Sequence, residues 1–272
     1  VGCMRIADMN CKEVDAFVDT ALANNANFFD HADIYGGGKS EEVFGKSISR
    51  HNREDFIIQT KCGIRSGMFD FSYEHIVNSV DGSLKRLGTD YIDVLLLHRP
   101  DALMEPEEVA RAFAYLKESG KVRHFGVSNQ NPYQMELLQK SLDMPLCVNQ
   151  LQFSVMHAPM IQSGINVNMY NDSAVNRDGG VLDYCRLNKI TIQPWSPLQH
   201  GIISGTFLGS PDYPELNVEN ACNWWTRTIG DGSRTVRCVG YDHGLGGAYG
   251  NAANDNNKAV RPAMKISIVK PE

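Results

Sequence analysis

The sequence has no long hydrophobic run, no metal-ligand motif and no excess of basic charge, and each absence argues against a class of protein. No stretch approaches the ~20 consecutive apolar residues that a membrane-spanning helix needs, so we expect no membrane partner. With 26 basic and 32 acidic residues, the formal net charge of -6 argues against nucleic acid as a partner. The eight histidines show neither HxxxH nor HExxH spacing, so we expect no metal site.

The cysteines and glycines likewise form no functional motif. Seven cysteines, an odd number without a CxxC pair, predict reduced thiols in a cytoplasmic protein rather than a disulfide framework. No signal peptide is evident at the start of the sequence, which begins with Val1. The run Gly36–Gly38 has no GxGxxG or GKS/T context, so it predicts a turn rather than a phosphate-binding loop.

Strand-like and helix-like segments alternate along the first two hundred residues, and the 42% hydrophobic share is enough for a sizeable core. The predicted strands are 2–6, 28–33, 56–62, 91–98, 122–129, 146–153 and 191–196. The predicted helices are 12–24, a short one near Ser40, 72–88, 106–120, 132–140 and 181–188, with Ser40 and Ser72 as N-caps and Gly88 as a stop. Because the strands are apolar on both faces, this pattern predicts a parallel sheet covered by helices. The polar segment 154–180 has little periodicity and is too long for a routine loop, so we interpret it as a substrate-side lid.

Four polar side chains lie at or just after the ends of apolar strands: Asp30, Tyr35, Lys61 and His98. One such residue alone is ordinary, but four at successive strand ends indicate a site at one mouth of a barrel. The ammonium of Lys61, held by Asp30, is expected to lower the pKa of Tyr35 from ~10 and make it a general acid. His98 can hydrogen-bond an incoming carbonyl oxygen, so the group predicts reduction of a C=O bond.

These residues lie within longer motifs: FDHADIYGGGKSEEVFG, QTKCG, SLKRLGTDYIDVLLLHRPD, GKVRHFGVSN, NQLQFS and PWSPL. Over about residues 1–215 the chain resembles the aldo-keto reductase family, in its bacterial branch of predicted oxidoreductases. The resemblance implies a (β/α)8 TIM-type barrel and NADPH-dependent reduction of aldehydes or ketones. It also implies that Tyr35 is the proton donor of a catalytic tetrad with Asp30, Lys61 and His98.

The resemblance further implies where the cofactor binds. Ser128, Asn129 and Gln150 match the positions that hydrogen-bond the nicotinamide carboxamide, and Asp30 is counted with the cofactor-binding residues. Read without the resemblance, the pair Ser128-Asn129 is a turn at a strand end.

Three later residues complete the expected cofactor site. Trp195 matches the aromatic residue that stacks on the nicotinamide ring, which fits the general preference of flat rings for stacking. Ser196 and Leu198 match the start of the loop over the pyrophosphate. Without the resemblance, Trp195 is a core aromatic residue at a strand end.

The expected carboxyl end of the family is not found in the sequence. The last strand and helix, and the Arg and Asn that hold the adenosine 2′-phosphate, should follow Leu198, and no motif aligns Arg227, Arg234 or Arg237 with them. We therefore predict a truncated or incomplete barrel with two unpaired edges. The preference for NADPH over NADH rests on the resemblance alone.

After about Asn217 the composition changes, so we predict a barrel domain at 1–217 and a small, irregular β-rich segment at 218–272. The segment has a Trp-Trp-x-Arg start, a Gly/Asn-rich middle and a VRPAM ending. With these short motifs it resembles C-terminal modules of bacterial surface and variable proteins with a lectin-like or sulfatase-modifying-factor-like fold. Its alternative interpretation is a fused or truncated reading frame with no selected role. Lys265 and Ser267 alternate with apolar residues in 264–269, which favours a half-exposed antiparallel strand over a barrel strand.

Three functional interpretations remain open from the sequence. The first is a carbonyl reductase with NADPH as cofactor and a small carbonyl compound as substrate. The second is a non-catalytic binding or display protein that uses the barrel as a scaffold. The third is an inactive chimera that folds poorly. Neither the individual substrate nor the oligomeric state is predicted.

Overall fold

The computed structural model of this protein describes residues 1–199 and, beyond them, the backbone of four strands within 223–260. The chain divides into two compact units, which are described separately. The first comprises Val1–Leu151 and Pro159–Gln193, and the second comprises Gln152–Ala158 and Pro194–Glu272. The predicted domain boundary at 217/218 lies outside the described residues.

Seven α-helices are present in the described ranges: α1 (Cys11–Ala23), α2 (Lys39–Ile48), α3 (Tyr73–Leu87), α4 (Pro106–Glu118), α5 (Pro132–Gln139), α6 (Pro159–Ile165) and α7 (Val181–Leu187). The strands up to residue 199 are β1 (Phe28–Asp30), β2 (Ile57–Cys62), β3 (Ile64–Arg65), β4 (Met68–Phe69), β5 (Ile92–Leu97), β6 (Val122–Ser128), β7 (Val148–Gln152) and β8 (Thr191–Trp195). Strands β3 and β4 form a separate antiparallel hairpin after β2.

Six strands form the main sheet, in the order β1-β2-β5-β6-β7-β8. The pairs β1–β2, β2–β5, β5–β6 and β6–β7 are parallel, which confirms the predicted alternation of parallel strands and covering helices. No seventh or eighth strand joins this sheet in the part of the chain that the structure describes. Beyond Leu198, where the last barrel strand was sought in the sequence, the structure describes Gln199 and the backbone of four strands within 223–260.

The strand predicted at 2–6 is not formed. Gly2 makes one parallel bridge to Asp30, and the chain then enters a 3₁₀ turn at Ile6–Asp8. The pairing is short because it consists of the Cys3 N–H donating to Asp30 O and the Asp30 N–H donating to Val1 O, each at 2.9 Å. Ile6 is buried from within the turn rather than from a strand.

The predicted limits of α3 are confirmed by its two caps. The Ser72 hydroxyl accepts a hydrogen bond from the His75 N–H at 3.3 Å, and Gly88 ends the helix in the left-handed conformation with φ 65°. Both signals are local and therefore readable from the sequence.

The prediction of Ser40 as the N-cap of α2 is wrong. The helix begins at Lys39, two residues earlier than a cap at Ser40 would place it, and Gly38 occupies the cap position with φ 92°. Ser40 is instead fully buried, and its hydroxyl donates to Cys3 O at 2.6 Å. The tertiary contact with the amino-terminal segment determines the position of Ser40.

The core lies on both faces of the main sheet. On the helix side, Phe29 packs on Phe44 with 4.9 Å between ring centroids, and Phe113 stacks on Phe125 at 4.2 Å. On the other side a separate apolar cluster holds Val94, Leu96 and Val148, with Phe28 and Cys147 against it. These two layers explain why the strands read as continuously apolar.

The segment 154–180 contains more structure than its composition indicated. It includes α6 and a 3₁₀ turn at Asp172–Ala174, capped by the Asn171 side chain. Several large apolar side chains in it are exposed, among them Ile165, Val167 and Tyr170. Its role as a substrate-side lid stays a prediction.

In the second unit, four strands form their own sheet: β9 (Asn223–Ile229), β10 (Thr235–Val239), β11 (Ala248–Ala252) and β12 (Lys258–Val260). Their order is β11-β10-β9-β12, with β10 antiparallel to both neighbours and β12 parallel to β9. Short strands in this region were predicted from its composition. The predicted strand at 264–269 lies outside the described residues, and the likeness to a lectin-like module stays a prediction.

Three further properties bear on the sequence-based expectations. No helix among the described residues is long and apolar enough to cross a membrane. The five cysteines within residues 1–199 are free thiols. Within the same ranges, no group of three or more histidine, cysteine or acidic side chains could hold a metal ion.

Candidate active site

Strands β1 and β2 bring Asp30 and Lys61 together. Asp30 pairs with Gln59 in the parallel register, and Lys61 lies two residues further along β2, so the alternation of side chains places Gln59 and Lys61 on one face. The Lys61 side chain has no exposed area. Its ammonium donates to Asp30 Oδ1 and to the backbone oxygen of His31, both at 2.7 Å. These partners satisfy a cation that burial alone would destabilise.

The turn after β1 carries Tyr35 towards this ion pair. Gly36 and Gly37 have φ values of 58° and 64°, and a Cβ on Gly36 would lie 2.6 Å from Ala7 Cβ. Only glycine combines this conformation with this close approach. The glycine run is thus a turn, as predicted, and the Tyr35 hydroxyl oxygen lies 3.3 Å from Lys61 Nζ.

The charge of Lys61 lowers the pKa of Tyr35, as expected, but it does not bring the pKa below its ordinary value. Burial raises the pKa of the Tyr35 phenol above 10.0, and the nearby charge of Lys61 offsets this only in part, while Asp30 raises the pKa further. The hydroxyl therefore keeps its proton across the neutral pH range. A phenolate at this position would be stabilised by the nearby ammonium of Lys61.

His98 follows β5 and contacts Tyr35 edge to face, with 5.9 Å between ring centroids and 80° between ring planes. Burial, and next the charge of Lys61, lower the pKa of His98 from 6.5 to about 3. The ring is thus neutral at physiological pH, with one N–H donor and one acceptor nitrogen. Its Nδ1 atom is buried and has no hydrogen-bond partner within residues 1–199.

The three residues expected to hold the carboxamide form a second cluster. Ser128 on β6 pairs with Gln150 on β7, and the Ser128 hydroxyl and the Asn129 N–H both donate to the backbone oxygen of Gln150, at 3.1 and 2.9 Å. The Asn129 side-chain nitrogen donates to Ser128 Oγ at 2.7 Å. Ser128 and Gln150 are buried, with 1% and 4% of their areas exposed.

Two glutamines that we did not single out from the sequence link the two clusters. Gln59 Nε2 donates to Asp30 Oδ1 at 2.5 Å and to Gln193 Oε1 at 2.6 Å, and Gln150 Nε2 donates to the same Gln193 oxygen. The available signal for Gln59 was its position two residues before Lys61, on the same face of β2. Gln193 stands two positions before Trp195 in the same way.

The remaining expected cofactor residues belong to the second unit and are described within it. Trp195 ends β8, and its backbone oxygen accepts the Phe153 N–H at 3.4 Å. Ser196 adopts a left-handed conformation with φ 52°, and Leu198 is about half exposed. The roles of Trp195, Ser196 and Leu198 in cofactor binding stay predictions.

A polar cluster that the sequence did not reveal lies close to the site in the first unit. Glu41 has no exposed area and accepts hydrogen bonds from Arg86 at 2.8 Å and from Thr60 at 2.6 Å. Burial, and next the charge of Glu41, raise the pKa of Asp33 to about 6. The backbone N–H of Asp33 donates to Lys61 O at 3.0 Å, so this cluster adjoins the strand that carries Lys61.

Comparison with known proteins places the whole first unit in one sequence family. The model of the aldo/keto reductase family matches residues 1–244. Oxidoreductase YdhF of Escherichia coli is 42% identical over 176 residues, covering 60% of this chain and 59% of that protein. The 6-dehydroglucose reductase of Agrobacterium fabrum is 34% identical over 217 residues, covering 75% and 68%. The chain therefore spans about three fifths to two thirds of the length of these relatives.

Solved structures give the same likeness at the level of the fold. The thermostable aldo-keto reductase Tm1743, solved with the inhibitor epalrestat, matches with a TM-score of 0.61 at 27% identity, covering 74% of this chain and 68% of that one. The holo form of aldo-keto reductase AKR11C1 from Bacillus halodurans matches with a TM-score of 0.59 at 25% identity, covering 74% and 62%.

Proposed function

The chain belongs to the aldo/keto reductase family, and from that premise we propose that it reduces aldehydes or ketones to alcohols with NADPH. In this proposal Tyr35 donates the proton and Asp30, Lys61 and His98 assist it. The observation that carries the proposal is the contact of the Tyr35 hydroxyl with the buried Lys61 ammonium, 3.3 Å apart. A buried cation beside a phenol stabilises the phenolate that remains once the phenol has donated its proton.

The side chains divide the work of proton transfer among them. The neutral His98 ring offers an N–H donor beside Tyr35 for the oxygen of a carbonyl substrate. As negative charge develops on that oxygen, the Tyr35 hydroxyl donates its proton to it, and the resulting phenolate is stabilised by Lys61. Asp30 holds the ammonium in place, and a proton from solvent restores the Tyr35 hydroxyl.

The residues present fit a nicotinamide carboxamide. Ser128, Asn129 and Gln150 place hydroxyl and amide groups together at the carboxyl ends of β6 and β7. Ser128 and Gln150 are buried, and hydroxyl and amide groups can both donate to and accept from a carboxamide. Aldo/keto reductases generally use NAD(P)H. When bound, NADPH supplies the hydride that reduces the carbonyl carbon and becomes NADP⁺. The choice of NADPH over NADH is part of the proposal.

The relatives support a small carbonyl compound as substrate. The Agrobacterium fabrum relative is by its name a reductase of 6-dehydroglucose, and YdhF is by its name an oxidoreductase. A cytoplasmic location also stays a proposal.

The test is oxidation of NADPH, followed by its absorbance, in the presence of a panel of aldehydes and ketones. We expect substrate-dependent turnover that falls by about 10²–10⁴-fold in Tyr35→Phe, because general acid catalysis contributes that much. Tyr133→Phe is the matched control, since Tyr133 is 79% exposed and lies on α5.

Two results would overturn the proposal. Equal turnover in Tyr35→Phe and the parent protein would remove Tyr35 as the proton donor. Binding of NADPH by well-folded protein without turnover of any carbonyl compound would favour the non-catalytic binding protein instead.

A further inference from the structure

A chain of three glutamine side chains joins the ion pair to the proposed carboxamide site. Gln59 lies between Asp30 and Gln193, and Gln193 lies between Gln59 and Gln150. Gln59 has no exposed area, and Gln150 is 4% exposed. The partners are far apart in sequence, since Gln59 and Gln193 are separated by 134 residues.

The carboxylate of Asp30 determines the orientation of all three amides. A carboxylate only accepts hydrogen bonds, so Gln59 must turn its NH₂ group towards Asp30. The second hydrogen of that NH₂ group then needs an acceptor, which is the oxygen of Gln193. The same oxygen accepts from the NH₂ group of Gln150. Each amide is thus held in one of its two possible orientations.

We propose that Gln59 and Gln193 are positioning residues for the amide of Gln150. Because Asp30 orients Gln59 and Gln59 orients Gln193, the two residues together determine which way the Gln150 amide is turned. The amide nitrogen of Gln150 is held at Gln193, so its oxygen is left to accept a hydrogen bond from a donor such as the NH₂ group of a carboxamide. Without this constraint the Gln150 amide could rotate by half a turn and present a donor where an acceptor is needed. This inference rests on the proposed function, because it takes the ligand to be a nicotinamide dinucleotide.

The network also connects the proposed catalytic residues with the proposed cofactor-binding residues. Asp30 Oδ1 accepts from Gln59 at 2.5 Å and from Lys61 at 2.7 Å, so the carboxylate that orients the amides also holds the ammonium beside Tyr35. Hydrogen bonds to a charged group are the stronger kind. The donor and acceptor directions of the three amides are therefore fixed by Asp30, the charged residue at which the chain of hydrogen bonds ends.

The test compares Gln193→Met with Gln193→Glu. Methionine is close in volume and removes the acceptor for both Gln59 and Gln150, whereas the glutamate carboxylate can still accept from both. We expect Gln193→Met to raise the dissociation constant for NADPH by about tenfold, the effect of losing a hydrogen bond or two. We expect Gln193→Glu to restore affinity to within about threefold of the parent value.

Binding is measured by calorimetry for two ligands, NADPH and 2′-phospho-ADP-ribose, which lacks the nicotinamide ring. If the glutamines act on Gln150, Gln193→Met weakens only NADPH. Equal weakening of both ligands would show a general structural effect and overturn the inference, and so would parent protein that binds the two equally tightly. If Gln193→Met does not fold, Gln59→Met provides the same comparison, because it removes the link to Asp30.

These outcomes are separable from the proposed function. Absence of carbonyl turnover would defeat the reductase proposal, yet a selective loss of NADPH affinity in Gln193→Met would still support the positioning role. Carbonyl turnover together with unchanged NADPH affinity in both glutamine variants would support the reductase proposal and overturn the positioning role of the glutamines.

Discussion

The ammonium nitrogen of Lys61 lies 3.3 Å from the hydroxyl oxygen of Tyr35. The Lys61 side chain has no exposed area. Because burial raises the pKa of Tyr35 and the charge of Lys61 lowers it, the two effects oppose each other in the resting protein. In the proposed reaction the Lys61 cation is therefore more important after proton transfer than before it. It would keep a Tyr35 phenolate from being prohibitively unstable in a buried site.

Replacing Lys61 by methionine should leave a proton donor that is too weak. We expect Lys61→Met to lower kcat by about 10²–10³-fold, because the phenolate loses its stabilising charge. Steady-state kinetics with the best substrate of the aldehyde and ketone panel would measure this. Tyr35→Phe and the double variant are the controls.

If the two residues act as a unit, the double variant should be no slower than about the slower single variant. Independent, multiplicative losses would contradict the assignment of Lys61 to the phenolate. Calorimetric NADPH binding to the same variants separates a chemical effect from loss of the cofactor.

His98 should act as a neutral hydrogen-bond donor, since its pKa is lowered to about 3 by burial and by the charge of Lys61. We therefore expect no break near pH 6.5 from His98 in the pH profile of kcat/KM between pH 5 and 8. Replacement with glutamine, which keeps an N–H donor, should reduce kcat/KM less than replacement with leucine. A break near pH 6.5 that His98→Gln abolishes would show that His98 titrates and would contradict this prediction.

Acidification should destabilise the protein through two buried histidines. His31 is fully buried, and burial lowers its pKa from 6.5 to about 3, as for His98. The unfolded chain binds a proton at each ring below pH 6.5 and the folded chain does not, so stability falls as pH falls from about 6.5 towards 3. At pH 5 the expected loss is about 2 kcal/mol for each ring.

Asp33 changes the free energy of unfolding in the opposite direction. Burial and Glu41 raise its pKa from 3.8 to about 6, so the folded state binds this proton more readily and gains about 1 kcal/mol at pH 5. The net expectation is a loss of about 2–3 kcal/mol between pH 7.5 and 5. Urea unfolding at the two pH values measures it. His31→Asn removes one of the two buried histidines. It should therefore halve, approximately, the histidine contribution to the pH dependence of the free energy of unfolding, whatever its effect on stability at pH 7.5.

The sequence predicted those features that depend on local signals. The limits of α3 follow from the cap at Ser72 and the stop at Gly88, and the turn before α2 follows from its three glycines. The position of Ser40 was wrong because a contact with Cys3, 37 residues away, determines it. Local capping preferences carry no information about such a contact.

The candidate site divides in the same way. The spacing of Asp30, Tyr35, Lys61 and His98 relative to strand ends is readable from a sequence, because parallel strands place their carboxyl ends at one edge. The direction of the pKa change at Tyr35 is not readable from the sequence, because it depends on how much water the packing excludes. Gln193 was missed for a similar reason, since its partner Gln59 is distant along the chain.

The polar cluster beside β2 should be strongly coupled, because a buried carboxylate there depends on one arginine. Glu41 has no exposed area, and Arg86 donates to it at 2.8 Å. Removing one partner of a buried ion pair typically costs about 3–5 kcal/mol, whereas an apolar replacement of both costs much less. We therefore expect Arg86→Met to destabilise the protein by about 3–5 kcal/mol at pH 7.5, and more than the double variant Glu41→Met/Arg86→Met does.

The pH dependence of Arg86→Met provides a sharper test of the same cluster. In the parent protein the charge of Arg86 lowers the pKa of Asp33, while Glu41 and burial raise it to about 6. Without Arg86 the pKa of Asp33 should rise further, so the folded state would bind a proton over a wider pH range. The stability deficit of Arg86→Met relative to the parent should then shrink as pH falls from 7.5 to 5. A deficit that stays constant or grows over this range, measured by urea unfolding, would mean that Arg86 stabilises the fold through packing rather than through its charge on Glu41 and Asp33.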